Sequence, residues 1–174
     1  MSRRDGLARL NTLPADTALV ELREVCGAPG WAETVAAARP FADRVALEFA
    51  AEVAWSALDR DAWVAGFESH ARIGEARRVS GGEASDWSRG EQAAMGATDA
   101  ATRAGLAEAQ RAYERRFGWT YVVCATGRTP AEMWADARAR LANEPHDEIA
   151  VAAGEERRIG RLRLEKLLAK GGVE

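Results

Sequence analysis

Asp99–Gly118, DAATRAGLAEAQRAYERRFG, is the stretch that decides the fold class. Asp99 is a helix-capping residue type and Gly118 a helix-ending one. Between them Leu106, Ala109, Tyr113 and Phe117 recur at the spacing of a single helix face. The segment therefore reads as a capped amphipathic helix.

Working downstream, Trp119 to Ala125 (WTYVVCA) is the only short continuous apolar run that resembles a strand, and no partner run exists to pair with it. It reads instead as a buried extended connector, whose backbone N–H and C=O groups must find partners in side chains, solvent or a ligand. Thr129-Pro130-Ala131-Glu132 is a capping box with proline at the first helical position, and Met133, Trp134, Ala137 and Leu141 supply the apolar face that follows. Pro145 separates that helix from a last one, Asp147 to about Ala169. Projected at about 100° per residue, Ile149, Ala152, Ala153, Ile159 and Leu167 cluster on one side of it. Glu156 and Arg163 fall in the same arc, whereas Arg157, Arg158, Arg161 and Glu165 fall outside. A charged group facing a core is costly unless paired, so Arg163 needs an anion, either Glu156 or a ligand.

Upstream, a first helix is expected from Pro14 to Cys26, with Leu19, Leu22 and Val25 at helical spacing and Gly27 terminating it. A short helix from Trp31 to Ala38 ends before Pro40, which disfavours helical geometry in the residue preceding it. Asp43 caps a longer helix through Leu58, whose stripe of Ala42, Val45, Phe49 and Val53 reads as core. Asp61 to Ser69 places Trp63 and Phe67 on one face, and the pattern stops at His70. From Ala71 to Trp87 periodicity is lost, and Gly74, Gly81 and Gly82 mark a loop. Ser88-x-x-Glu91 is a second capping box, opening a short helix to about Ala97. The fold class is thus all-α, a single compact domain of about seven to nine helices, since this length suits one continuous core.

Composition narrows the function. Of 174 residues 24 are basic and 27 acidic, and they are interleaved, so there is no electrostatic footprint for nucleic acid or an anionic membrane. No apolar run suits a membrane span or signal peptide, and the GGVE ending is not a peroxisomal address, which leads to a cytoplasmic reading. Cys26 and Cys124 are far apart without CxxC spacing, fitting two buried thiols rather than a disulfide, and two scattered histidines argue against a zinc site. There is no phosphate-cradling glycine loop and no nucleophile elbow.

His70 is a candidate acid or base, because its imidazole has the unperturbed pKa nearest neutrality and a loop just past a helix end can present it to a ligand. A lone histidine can equally be an ordinary structural hydrogen-bond partner. Glu91 has a capping role available to it, and Glu155-Glu156, lacking an evident histidine partner, reads as solvated charge.

Taken in order, several segments carry a resemblance: Leu10-Asn11, Cys26-Gly27, Arg39-Pro40-Phe41, Ser69-His70-Ala71-Arg72-Ile73-Gly74, Trp87-Ser88-Arg89-Gly90-Glu91-Gln92, Tyr113-Glu114-Arg115-Arg116-Phe117-Gly118 and Leu162-Arg163-Leu164. Together they resemble the 2-oxo-4-hydroxy-4-carboxy-5-ureidoimidazoline (OHCU) decarboxylases of urate degradation, over nearly the whole chain. Where that family's loop usually reads H-P-R-I-G, Ala71 replaces the proline. The resemblance implies an all-α, cofactor-free and metal-free enzyme converting OHCU to (S)-allantoin, and favours a homodimer. It further implies His70 as the proton-transfer residue, Glu91 and Gln92 as ligands of the ureido and ring N–H groups with Ser88 helping to place them, and Arg163 as the partner of an anionic or carbonyl oxygen. The backbone of Ala71 and of Tyr121, Val122, Val123, Cys124 and Ala125 would line the rest of the pocket. Two other readings stay open: a helical interaction module, and a relative acting on another ureido or carboxylate substrate.

Overall fold

The computed structural model describes residues 4–74 and 98–170, and these contain eight α-helices. They are α1 (Arg4–Thr12), α2 (Ala15–Val25), α3 (Trp31–Ala37), α4 (Arg44–Ser56), α5 (Arg60–Glu68), α6 (Ala100–Phe117), α7 (Pro130–Arg140) and α8 (Pro145–Ala169). The all-α expectation holds, and no strand occurs among the described residues. The chain divides into two compact units, one formed by residues up to Gly66 together with Arg157 onward, the other by Phe67 to Glu156. The second capping box, Ser88 to Glu91, and its short helix lie outside the described residues.

In the first unit the capping logic works as the residue types dictate. The Asp43 carboxylate accepts the Ala46 N–H at 2.8 Å and opens α4. Helix α1 is an addition to the sequence reading: it offers only Leu7 and Leu10 as apolar periodicity, too little to register as a stripe. Its C-terminus is tied down by two distant residues. The Arg39 guanidinium donates to the carbonyls of Leu10 at 2.6 Å and Leu13 at 3.0 Å, satisfying acceptors that a helix end leaves unpaired. Asn11 in turn accepts the Phe41 N–H and donates to the Phe41 carbonyl, both at 2.8 Å. Leu10-Asn11 and Arg39-Pro40-Phe41 are therefore two halves of one joint. Gly6 allows a further close approach, because a Cβ there would fall 1.8 Å from the Leu168 carbonyl oxygen.

The reading of α4 needs correction. Val45, Phe49 and Val53 are exposed by 72, 69 and 48%, while Leu47, Ala54 and Trp55 are buried. This helix carries apolar residues on two faces, and periodicity cannot say which of two stripes meets the core. The sequence pattern selected the stripe that is exposed.

The second unit is built around Tyr113 on α6. Its ring meets Phe117 at 4.6 Å and Tyr121 at 5.3 Å between centroids. Gly105 lets α7 lie close against α6, since a Cβ there would come within 2.4 Å of the Trp134 ring. Gly118 ends α6 with φ of 83°, the left-handed geometry glycine adopts without steric cost. The Thr129–Glu132 capping box forms as read, both of its reciprocal bonds being present.

Below this aromatic cluster lies a buried ion pair. Arg140 on α7 approaches Glu148 on α8 at 2.6 Å, and Glu148 is wholly inaccessible to solvent. The same carboxylate accepts the Tyr113 hydroxyl and, at 2.6 Å, the Asn143 amide. Arg140 also donates to the Val122 carbonyl at 2.8 Å. Burial first, and then hydrogen bonding to carboxylates, holds the phenols of Tyr113 and Tyr121 well above the usual tyrosine range, so both remain donors. Removing one charge strands the other away from water. Arg140→Met is thus expected to cost about 3–5 kcal/mol in urea unfolding, and Arg140→Met combined with Glu148→Leu distinctly less; a double variant as unstable as the single would contradict this.

Candidate active site

Helix α5 ends at Glu68, and the His70 N–H returns to the Phe67 carbonyl at 3.2 Å, closing the last turn. The loop that follows is held by α6 through two kinds of bond. Gln110, itself buried, accepts the Ile73 N–H at 2.9 Å and donates to the Ile73 carbonyl at 3.0 Å. Arg72 forks onto Glu114 with contacts of 2.7 and 2.6 Å. Gly74 then turns the chain with φ of 87°. The Arg72-Ile73 half of the loop is consequently anchored without the proline that Ala71 replaces.

His70 points at α8. Its Nε2 lies 2.6 Å from Oε2 of Glu156, whose side chain is 1% exposed against 13% for the imidazole. Among the described residues neither Glu156 oxygen accepts a hydrogen bond, so the contact is a close approach of imidazole and carboxylate rather than a hydrogen bond. The preceding residue, Glu155, is also buried and serves another segment: it accepts the Cys124 N–H at 2.8 Å and meets Arg128 at 3.3 Å. Glu155-Glu156 is therefore not solvated charge. Consecutive helical residues diverge by about 100°, so one carboxylate latches the connector while the other receives the histidine.

The connector is neither helix nor strand, with Tyr121, Val122 and Val123 buried and Cys124 and Ala125 half-buried. Its backbone partners include two charged side chains, Arg140 at Val122 and Glu155 at Cys124. His70 and the connector thus converge on the same stretch of α8 within the second unit. Cys26 is buried and Cys124 half-buried, and neither forms a disulfide.

Arg163 belongs to the first unit. Its Nη1 lies 3.5 and 3.4 Å from the carbonyls of Glu24 and Val25, at the C-terminal end of α2, where the helix dipole is negative. It is half-buried on α8, seven residues and so two turns beyond Glu156 along the same helix. Of the two anions open to Arg163 in the sequence, Glu156 lies against His70 instead, and Nη1 of Arg163 is directed at peptide oxygens. Ser88, Glu91 and Gln92 lie outside the described residues.

Glu155 and Glu156 escaped the sequence reading as partners of the site. The available signal was the position of Glu156 in the apolar arc of α8, since a carboxylate there must meet a cation or an N–H. Among the described residues no group of three or more His, Cys, Asp and Glu is placed to hold a metal.

Comparison with known proteins gives this arrangement a context. The chain is 31% identical over 153 residues to the uric acid degradation bifunctional protein TTL of Arabidopsis thaliana, covering 86% of this chain and 47% of that protein. It is 36% identical over 83 residues to the 2-oxo-4-hydroxy-4-carboxy-5-ureidoimidazoline decarboxylase of Amia calva, covering 47% of each. The matched part thus spans about half the length of these curated relatives. The fold superposes on a crystal structure of OHCU decarboxylase in the presence of (S)-allantoin with a TM-score of 0.73 and 28% identity, covering 86% of this chain and 97% of that one. The OHCU decarboxylase family model matches residues 11–165, and the chain belongs to that family.

Proposed function

We propose that the protein is a carboxy-lyase that decarboxylates OHCU to (S)-allantoin in urate degradation. The observation that carries this reading is the half-buried His70 imidazole, set against a fully buried carboxylate on the stretch of α8 that also latches the connector. Family membership and the resemblance to an OHCU decarboxylase crystallised in the presence of (S)-allantoin support the choice of substrate.

OHCU carries its own electron sink. The carbon that loses carbon dioxide is bonded to a ring imine carbon, so the released pair forms a carbon–carbon double bond and the imine nitrogen takes up a proton. The resulting enol then loses its hydroxyl proton as a carbonyl forms, and the ureido-bearing carbon receives a proton on one face. The protein's work is to orient the carboxylate, stabilise developing charge and direct that last proton. In this scheme His70 exchanges protons with the hydroxyl and the nascent carbanion, and Arg163 pairs with an anionic or carbonyl oxygen. Glu91 and Gln92 hold the ureido and ring N–H groups with Ser88 placing them, and the backbone of Ala71 and of Tyr121 to Ala125 forms the wall. The two compact units would act together as one catalytic domain, in the cytoplasm.

A homodimer accompanies this reading. Val45, Phe49 and Val53 form an exposed apolar stripe along α4, bordered by Arg44–Glu48 and Glu52–Arg157 ion pairs, a surface suited to a second copy of itself.

The activity is tested by generating OHCU in situ from urate with uricase and 5-hydroxyisourate hydrolase and following optical rotation. Accelerated formation of an (S) excess is expected, and unassisted decay to racemic product would exclude the reaction. His70→Ala should lower kcat by about 100-fold or more with the fold intact. Glu91→Gln should abolish a charge-dependent role while leaving a capping role largely in place, which the thermal unfolding midpoint separates from turnover. Light scattering checks the dimer: wild-type protein should have twice the chain mass and Phe49→Glu the mass of one chain.

A further inference from the structure

We propose that Gln110 is a positioning residue: together with Glu114 it clamps Arg72 and Ile73 onto α6, and through that clamp it holds the His70 imidazole where proton transfer needs it. This deepens the reading just given and rests on it for the identity of the reaction.

Gln110 stands four residues after Leu106 and three before Tyr113, both wholly buried, so it occupies the core-facing stripe of α6 and is itself 1% exposed. A primary amide in that stripe is costly unless its oxygen and nitrogen find partners. Both find them on one residue. The oxygen accepts the Ile73 N–H at 2.9 Å, and the nitrogen donates to the Ile73 carbonyl at 3.0 Å. A two-point bond of this kind fixes the direction of the backbone as well as its distance, as the paired bonds of an antiparallel ladder do. A carboxylate could answer only the N–H and an ammonium only the carbonyl, whereas an amide answers both. Filling the core does not require that amide, since leucine is close to glutamine in size and needs no partners. Glu114 lies one turn further along the same face and takes the Arg72 guanidinium in a fork, at 2.7 and 2.6 Å. Consecutive loop residues are thus gripped by consecutive turns of one helix.

The clamp lies close to the histidine along the chain. The His70 N–H is bonded to the Phe67 carbonyl at the end of α5, and Ala71 is the only residue between that closed turn and the gripped pair. The alanine methyl brings no polar group of its own to fix the backbone, so the two anchored ends set the path on which the imidazole is carried. Proton transfer requires donor and acceptor within hydrogen-bond reach, and a displacement of about 1 Å is enough to cost rate. Gln110 touches no reacting atom in this scheme and acts through His70.

Gln110→Leu removes both bonds while keeping the bulk, and NMR of the histidine ring carbons and protons reads the consequence directly, with His146→Ala separating the two histidines. Wild-type His70 should give one sharp set of ring signals, and Gln110→Leu should shift them and split or broaden them. In turnover, folded Gln110→Leu should lower kcat by about tenfold or more with KM changed less than about threefold, and Glu114→Gln should lower kcat by about threefold with a smaller shift of the same signals. His70 signals unmoved in Gln110→Leu, or full kcat in that variant, would overturn the proposal. Should Gln110→Leu not fold, Glu114→Gln decides alone: unmoved His70 signals or full kcat there overturn it, and shifted signals with reduced kcat uphold it. Failure of wild-type protein to form (S)-allantoin would instead remove the reaction, and the His70 signals of the two variants would then decide whether the clamp holds the histidine.

Discussion

The second unit depends on one constraint: the positive charge of Arg140 and the negative charge of Glu148 are kept out of water together. Each can be buried only because the other is there and because Tyr113, Asn143 and the Val122 carbonyl use the remaining donors and acceptors. That requirement ties α6, α7, α8 and the connector to a common point. A connector with no strand partner would otherwise leave peptide groups unpaired in an apolar interior. Arg140 and Glu155 provide two of those missing partners, so the segment is held in place without belonging to a sheet.

The short motifs behave as paired fasteners. Leu10-Asn11 closes on Arg39-Pro40-Phe41, and Arg72-Ile73 closes on Gln110 and Glu114. Each joins a helix to a loop through side-chain bonds to backbone or to an opposite charge. A loop stapled in this way retains its path with alanine at position 71, because the fixing groups lie on either side of that residue.

Much of this was legible in the sequence, for local physical reasons. The capping residues Asp43, Asp99 and Thr129, and Gly118 at a helix end, act within one turn of chain, so their reading required no tertiary knowledge. Most of the arc on α8 was legible too: Ile149, Ala152, Ala153, Glu156 and Leu167 are buried, and Ile159 and Arg163 half-buried. What remained hidden was the choice among partners. Helical projection turned Glu156 and Arg163 inward but could not reveal that His70 answers the first and the peptide oxygens of α2 the second. Two apolar faces on α4 presented the same difficulty, and there the stripe read as core proved to be the exposed one.

The adjacency of Glu155 and Glu156 sets a limit on how this helix can vary. The two residues serve different segments, and only the rigid advance of α8 keeps both aligned. One residue inserted or lost between Glu148 and Glu155 would swing both carboxylates by about 100° relative to Arg140's partner, uncoupling connector and histidine in a single event. Substitutions can accumulate on the outer face of α8, but its length across this span is locked in phase.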